Sequence, residues 1–266
     1  MRKLMIVALA CAPALAFAGA LTEKIAARHK VTATNEWFGG QRTVFDFDGY
    51  EAWVVEPPAG TPAAAGKPWT WTMQWCTAFV PRTSVPRLLA KGYHHVTIVT
   101  FKEHMDEKGL AVSKKFQDFL VNELGLAPKA RLIGMSWGGF FSIRYASTYP
   151  ENVAKIYLDA PLLNFDGFGG VPKHWADRKP ADTCWTDNPE MPINRATPIA
   201  KAGIPILLLY GGKDSVVPPV LNSEIFAPRF KSAGGSIRVV RRDAYEHHPH
   251  GVETDSNVIV DFFGAK

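Results

Sequence analysis

Three short runs in this 266-residue chain bring together residue types that can do chemistry. Gly134-Met135-Ser136-Trp137-Gly138, followed by Gly139, sets a serine among glycines. The apolar run Leu207-Leu208-Leu209-Tyr210 leads through Gly211-Gly212-Lys213 to a carboxylate, Asp214. Glu246-His247-His248-Pro249-His250-Gly251 supplies three imidazoles. A serine hydroxyl is a poor nucleophile at its ordinary pKa, so it needs a base, and the base needs a group that fixes its orientation. In that scheme Ser136 is the nucleophile, His247 the base and Asp214 the orienting acid. His247 is preferred to His250 because it comes first after the preceding strand. Asp159, at the end of an earlier strand, is the reserve acid, and Asp214 alternatively serves only as a loop cap.

An acyl-transfer site also needs N–H donors for the developing oxyanion. Trp137, the residue after the nucleophile, offers one. The loop that follows Trp69 to Trp75 offers the other, at Trp75, Cys76 or Thr77. Three clustered histidines also raise metal binding, but Pro249 breaks helical spacing and no further ligand group declares itself. No metal and no cofactor are assigned.

These residues need a scaffold that presents loops side by side. Thr43 to Phe47 and Tyr50 to Val55 flank Asp48-Gly49, a two-residue hairpin signal. Strand and helix patterns then alternate. Strands are expected at Trp69–Trp75, His95–Phe101, Ala130–Ile133, Val153–Leu158, Ile204–Tyr210 and Ser236–Arg241. Helices are expected at Val85–Lys91, Val112–Leu124, Gly138–Tyr149, Val220–Ser232 and Asp255–Phe263. The soft stretch Pro57 to Gly66 reads as a surface loop. Alternation with apolar strands means a mostly parallel sheet covered on both faces, which places ligands at the carboxyl ends of its strands. Each of the three runs falls at such an end. Residues 161–199 break the rhythm and read as an insertion. Its Trp175 and Trp185 either roof a pocket or cement the insertion to the domain.

Composition narrows the class. Hydrophobic residues make up 47% and charged residues 21%, which suits a folded domain with a sizeable core. Arg2 and Lys3, the apolar run Met5 to Phe17, and A-x-A sites before Gly19 and Leu21 form the pattern of a secretory signal peptide over residues 1–20, leaving 21–266 as the mature domain. The run is too short for a permanent membrane anchor. Without Arg2 and Lys3 the 30 basic residues become 28 against 25 acidic ones, a mild +3 that does not call for nucleic acid. Arg241 and Arg242 read as a solvated strand edge. Cys76 and Cys184 would remain after cleavage, either bridged or as two thiols.

The elbow G-M-S-W-G-G, the acid loop G-G-K-D-S-V-V-P and the terminal H-H-P-H-G together resemble the α/β-hydrolase superfamily from about Gln41 to Phe263. The last two runs resemble a bacterial branch of exported hydrolases that ends its triad in H-H-P-H-G. The resemblance implies an α/β-hydrolase fold with a mainly parallel eight-stranded sheet, helices on both faces and a cap insertion. It also implies that the histidine directly after the strand, His247, is the catalytic one. Glu246 stands where that branch has glycine, and its carboxylate could raise the pKa of the neighbouring imidazole. The expected activity is hydrolysis of a small-molecule carboxylic ester, such as a short-acyl or carbohydrate ester, in the periplasm or outside the cell. Peptidase, lactonase and thioesterase chemistry share the same triad, and an exported binding protein or a metal-binding envelope protein is the non-hydrolytic alternative.

Overall fold

A computed structural model describes residues 19–179 and 181–265. Residues 1–18 of the expected leader therefore lie outside the described residues. Helix α1 (Ala20–Ala26) comes first and buries Leu21 and Ile25. Strand β1 (Val31–Trp37) follows, then the hairpin β2 (Gly40–Phe47) and β3 (Tyr50–Glu56), which turns at Asp48-Gly49 as the sequence suggests. Beyond it run β4 (Trp69–Thr72), α2 (Val85–Leu89), β5 (His94–Ile98), α3 (Glu107–Asn122), β6 (Ala130–Met135) and α4 (Trp137–Thr148). The chain closes with β7 (Val153–Asp159), α5 (Lys173–Ala176), α6 (Ala196–Lys201), β8 (Ile206–Gly211), α7 (Ser223–Ser232), β9 (Ile237–Arg242) and α8 (Val258–Gly264). No helix among the described residues is long and apolar enough to cross a membrane.

The strands form one sheet in the order β1-β2-β3-β5-β4-β6-β7-β8-β9. Pairs from β1 through β5 are antiparallel, and those from β5 through β9 are parallel. Among the described residues the sheet thus has nine strands where eight are expected. The extra one is β1, whose VTATNEW residues are all exposed or half-buried at an edge and show no apolar face. Period-two patterning covers the two faces separately. Ile206 and Leu208 of β8 face a cluster shared with α1, α3, α4 and α7, whereas Leu207 and Leu209 face α2 and α8.

Residues 161–199 form short helices and turns pressed against α4. Trp175 is fully buried and Trp185 nearly so, in one cluster with Phe140 and Phe165. Buried Arg144 of α4 ties the insertion down: its guanidinium donates to the Met105 and Glu190 carbonyls, pairs with the Glu190 carboxylate at 2.8 Å, and lies 4.6 Å over the Trp175 ring.

Strand β5 carries two buried histidines, His94 and His95. Burial, with the Lys67 charge adding to it, lowers the His94 pKa to about 4, and burial alone lowers that of His95 to about 3. Both rings stay neutral in the folded chain well below 6.5, where the unfolded chain takes up protons. Their contribution is complete above pH 6.5 and is lost as pH falls from there toward 4 and 3. At pH 5 the loss is about 2 kcal/mol for each ring, from 1.5 pH units at about 1.36 kcal/mol per unit. Urea unfolding at pH 7 and pH 5 should show this drop. The double change His94→Gln with His95→Gln should flatten it, and an unchanged slope would mean that other groups carry the acid sensitivity.

Candidate active site

Ser136 sits between β6 and α4 with φ 49° and ψ −120°, a left-handed backbone that a serine adopts only under constraint. Three main-chain bonds hold it there. Its N–H donates to the Asp159 carbonyl at 3.0 Å, and its carbonyl accepts from Gly139 at 2.8 Å and Leu162 at 2.9 Å. The neighbouring glycines are not equivalent. A Cβ on Gly134 would lie 2.5 Å from Ser142 Oγ and 2.7 Å from the Gly138 carbonyl, and one on Gly139 would lie 2.2 Å from Pro161 Cβ. A Cβ on Gly138 would only touch Gln74 N at 3.5 Å, an ordinary contact. Close approach thus requires Gly134 and Gly139 but not Gly138.

The three expected groups meet. His247 Nε2 lies 3.1 Å from Ser136 Oγ, and His247 Nδ1 lies 2.7 Å from Asp214 Oδ2. The other Asp214 oxygen accepts the Val216 and Val217 N–H groups at 3.0 and 2.8 Å, so this carboxylate caps its own turn as well as holding the ring. With Asp214 accepting, Nδ1 carries the hydrogen and Nε2 is left to accept the serine proton. Both side chains are buried, which strengthens the pair. The acid and base loops touch at Gly211, where a Cβ would lie 2.3 Å from the Glu246 carbonyl. The Glu246 side chain itself is exposed.

The two reserve candidates pair with each other. Asp159, fully buried, accepts from His250 Nδ1 at 3.0 Å, Tyr157 Oη at 2.5 Å, Gly251 N at 2.7 Å and Arg242 Nη2 at 3.3 Å. Arg242 therefore turns inward, unlike the solvated residue expected, while Arg241 stays outside with Asp243 and Glu224. Burial beside Asp159 holds the Tyr157 phenol well above its usual range. His248 is exposed and stacks on Phe79 at 5.5 Å.

A cavity of about 340 Å³ opens over Ser136, lined by Trp75, Ala78, Phe79, Val216, His247, His248 and His250. Trp75 lines this cavity, and Trp137 follows Ser136 directly. Trp137 opens α4, so its N–H has no acceptor within the helix. Cys76 and Thr77, with Trp75, Thr97 and Phe101, line a neighbouring cavity of about 240 Å³. Burial pushes the Cys76 thiol pKa up, and Cys76 and Cys184 are both unbridged. Neither Trp175 nor Trp185 lines the Ser136 cavity. Phe79 and Val216 were not singled out from the sequence, since nothing local marks an apolar loop residue as a pocket wall.

Residues 100–183 match a family model described as the alpha/beta hydrolase fold. No curated protein matches this chain. Among solved structures, a puromycin-hydrolyzing peptidase of Mycobacterium tuberculosis superposes with TM-score 0.65 at 16% identity, covering 86% of this chain and 40% of that one. This chain thus spans less than half of that peptidase's length. An S-formylglutathione hydrolase from Agrobacterium tumefaciens gives TM-score 0.57 at 17% identity, covering 82% of this chain and 92% of the other. Acetyl xylan esterase 1 from Thermoanaerobacterium sp. JW/SL YS485 gives 0.56 at 14%, covering 88% and 86%. The fold is that of the α/β hydrolases, a mostly parallel sheet flanked by helices.

The unequal glycines make a direct test. Gly134→Ala should lower stability by about 1–3 kcal/mol through overpacking at the elbow. Gly138→Ala should leave it unchanged or raise it by up to about 1 kcal/mol, since alanine is the better helix former. Thermal unfolding of both variants distinguishes them, and the reverse order would mean that the elbow relaxes around Gly134.

Proposed function

We propose that this chain is a serine hydrolase that cleaves a carboxylic ester through an acyl-serine intermediate. The continuous chain of hydrogen bonds from Ser136 Oγ through His247 to Asp214 carries this reading. As Ser136 Oγ bonds to the carbonyl carbon, its proton passes to His247 Nε2, and Asp214 stabilises the imidazolium so formed. The Trp137 N–H and the Trp75 N–H receive the negative charge that develops on the carbonyl oxygen. His247 then gives the proton to the alkoxide as the C–O bond breaks, and the alcohol leaves. Water repeats the sequence on the acyl-serine, His247 taking its proton, and releases the acid and free Ser136.

The apolar walls Trp75, Ala78, Phe79 and Val216 suit a short acyl group or small alcohol. The likeness to an acetyl xylan esterase and an S-formylglutathione hydrolase is in keeping with an ester or thioester substrate. A peptidase reading is favoured by one observation, the likeness to the puromycin-hydrolyzing peptidase, and it shares every catalytic step with an amine as leaving group.

A fluorophosphonate probe should label the protein at Ser136, and Ser136→Ala should remove the label without lowering the melting temperature. A folded wild-type protein that takes no label would end this assignment.

We further infer that the chain is exported and cut after Ala20. The Leu21 N–H lies 3.2 Å from Glu56 Oε1, and burial raises the Glu56 pKa. Cleavage after Ala20 would turn that N–H into an ammonium ion beside a carboxylate in need of a cation. Intact mass of the protein recovered from the periplasm of an expressing Gram-negative host should match a chain beginning at Leu21. A chain still carrying Arg2 and Lys3 would overturn the inference.

A further inference from the structure

His250 has no part in the mechanism above, yet it lies 2% exposed in the wall of the Ser136 cavity. Its ring centroid is 4.8 Å from that of His247, and Phe79 packs edge-on against it at 5.3 Å. Its Nδ1 is engaged by Asp159. Every other group on that carboxylate (the Tyr157 hydroxyl, the Gly251 N–H and the Arg242 guanidinium) is a donor, so Asp159 acts only as an acceptor. The Nδ1 of His250 therefore carries the hydrogen. In the neutral ring the remaining nitrogen, Nε2, holds a lone pair and no proton.

A simpler role would be to clamp the loop that bears His247. Main-chain contacts already do that. Arg82 Nε donates to the His250 carbonyl at 2.9 Å, Arg242 Nη1 to the Gly251 carbonyl at 2.6 Å, the Gly251 N–H to Asp159 and the Val252 N–H to the Arg82 carbonyl at 3.0 Å. None of these needs the imidazole. Placing a pre-oriented acceptor in a cavity whose other walls are Trp75, Ala78, Phe79, Val216, Ser136, His247 and His248 is costly unless a donor arrives to meet it.

We propose that His250 is a substrate-contact residue whose Nε2 accepts a hydrogen bond from a hydroxyl on the alcohol half of the ester, so that the enzyme favours esters of polyhydroxylated alcohols over alkyl esters of the same shape. The side is set by the chemistry. His247 must hand its proton to the leaving oxygen, so the alcohol half lies against the His247 wall, where the His248 and His250 rings each stand 4.8 Å from His247 and only His250 is buried. A hydroxyl on a carbon near the scissile oxygen is then within its reach. This proposal rests on the ester-hydrolase reading and names its substrate class.

The test compares 2,3-dihydroxypropyl butyrate with 2-methylbutyl butyrate, in which carbon replaces both hydroxyls. Wild type should show a kcat/KM for the diol ester roughly tenfold above that for the alkyl ester, the size expected when one buried acceptor is satisfied or left bare. His250→Leu should bring the ratio to about one or invert it. His250→Gln, whose amide oxygen can still accept, should keep part of the preference, with the change falling mainly on KM, and it serves as the working variant should the leucine protein fail to fold. Fluorophosphonate labelling of Ser136 in each protein reports the catalytic machinery separately from specificity. Equal rates for the two esters in wild type, or a diol preference that survives both substitutions, would overturn the proposal with the hydrolase reading intact. A wild-type protein that neither takes the probe nor cleaves either ester would overturn both.

Discussion

The backbone of Ser136 is the constraint on which the site depends. A φ of 49° costs an L-residue on the order of 1–3 kcal/mol and persists only where its surroundings impose it. Here the imposition comes from the next strand. The Asp159 carbonyl takes the Ser136 N–H, and Leu162, just beyond that strand, donates back to the Ser136 carbonyl. The reversal at the elbow sends the chain straight from β6 into α4 and leaves the hydroxyl above the carboxyl edge of the sheet. In the proposed reaction it also leaves the first-turn N–H groups of α4 beside the developing oxyanion. Parallel pairing does the rest, since β6, β7, β8 and β9 all end at this edge and deliver Ser136, Asp159, Asp214 and the histidine loop side by side.

Two buried carboxylates stand at this edge, each facing an imidazole, and their surroundings divide the work between them. Asp159 accepts from the Arg242 guanidinium and the Tyr157 hydroxyl as well as from His250. Asp214 accepts two peptide N–H groups, and its only ion-pair partner among the described residues is His247. An imidazolium forming at His247 therefore meets a carboxylate with no competing cation in contact. That difference, rather than position in the chain, is what favours Asp214 over Asp159 in the proposed mechanism.

Much of this could be read from residue order alone, and the exceptions have physical causes. Apolar runs with period-two faces marked the parallel strands, and a serine between glycines, set between a strand and a helix, marked the elbow. Strand β1 escaped because an edge strand needs no buried face, and VTATNEW offers none. Helix α1 was hidden because Ala18, Gly19 and Ala20 read as a cleavage site while the helix starts at Ala20. Which glycines are sterically required depends on what lies across the turn, Ser142 and Pro161, and no spacing rule gives that. Likewise Arg241 and Arg242 look alike in sequence but alternate on the strand, so one meets solvent and the other the buried Asp159.

The insertion bears on how the cavity can select. Trp175 and Trp185 are sunk into the cluster around Phe140 and Phe165, held by Arg144, and they buttress the helix that begins directly after Ser136. They do not roof it, and Trp75 and Val216 stand 44% and 53% exposed at the cavity's mouth. Apolar surface left open in this way attracts apolar matter of many shapes at about 25 cal/mol per Å² buried and discriminates weakly among them. Polar groups deeper in the cavity discriminate better, because an unmet acceptor penalises every ligand that cannot satisfy it. For the proposed ester hydrolase, with apolar residues at the cavity's mouth and the buried His247 and His250 in its wall, affinity and selectivity would therefore be supplied by different residues.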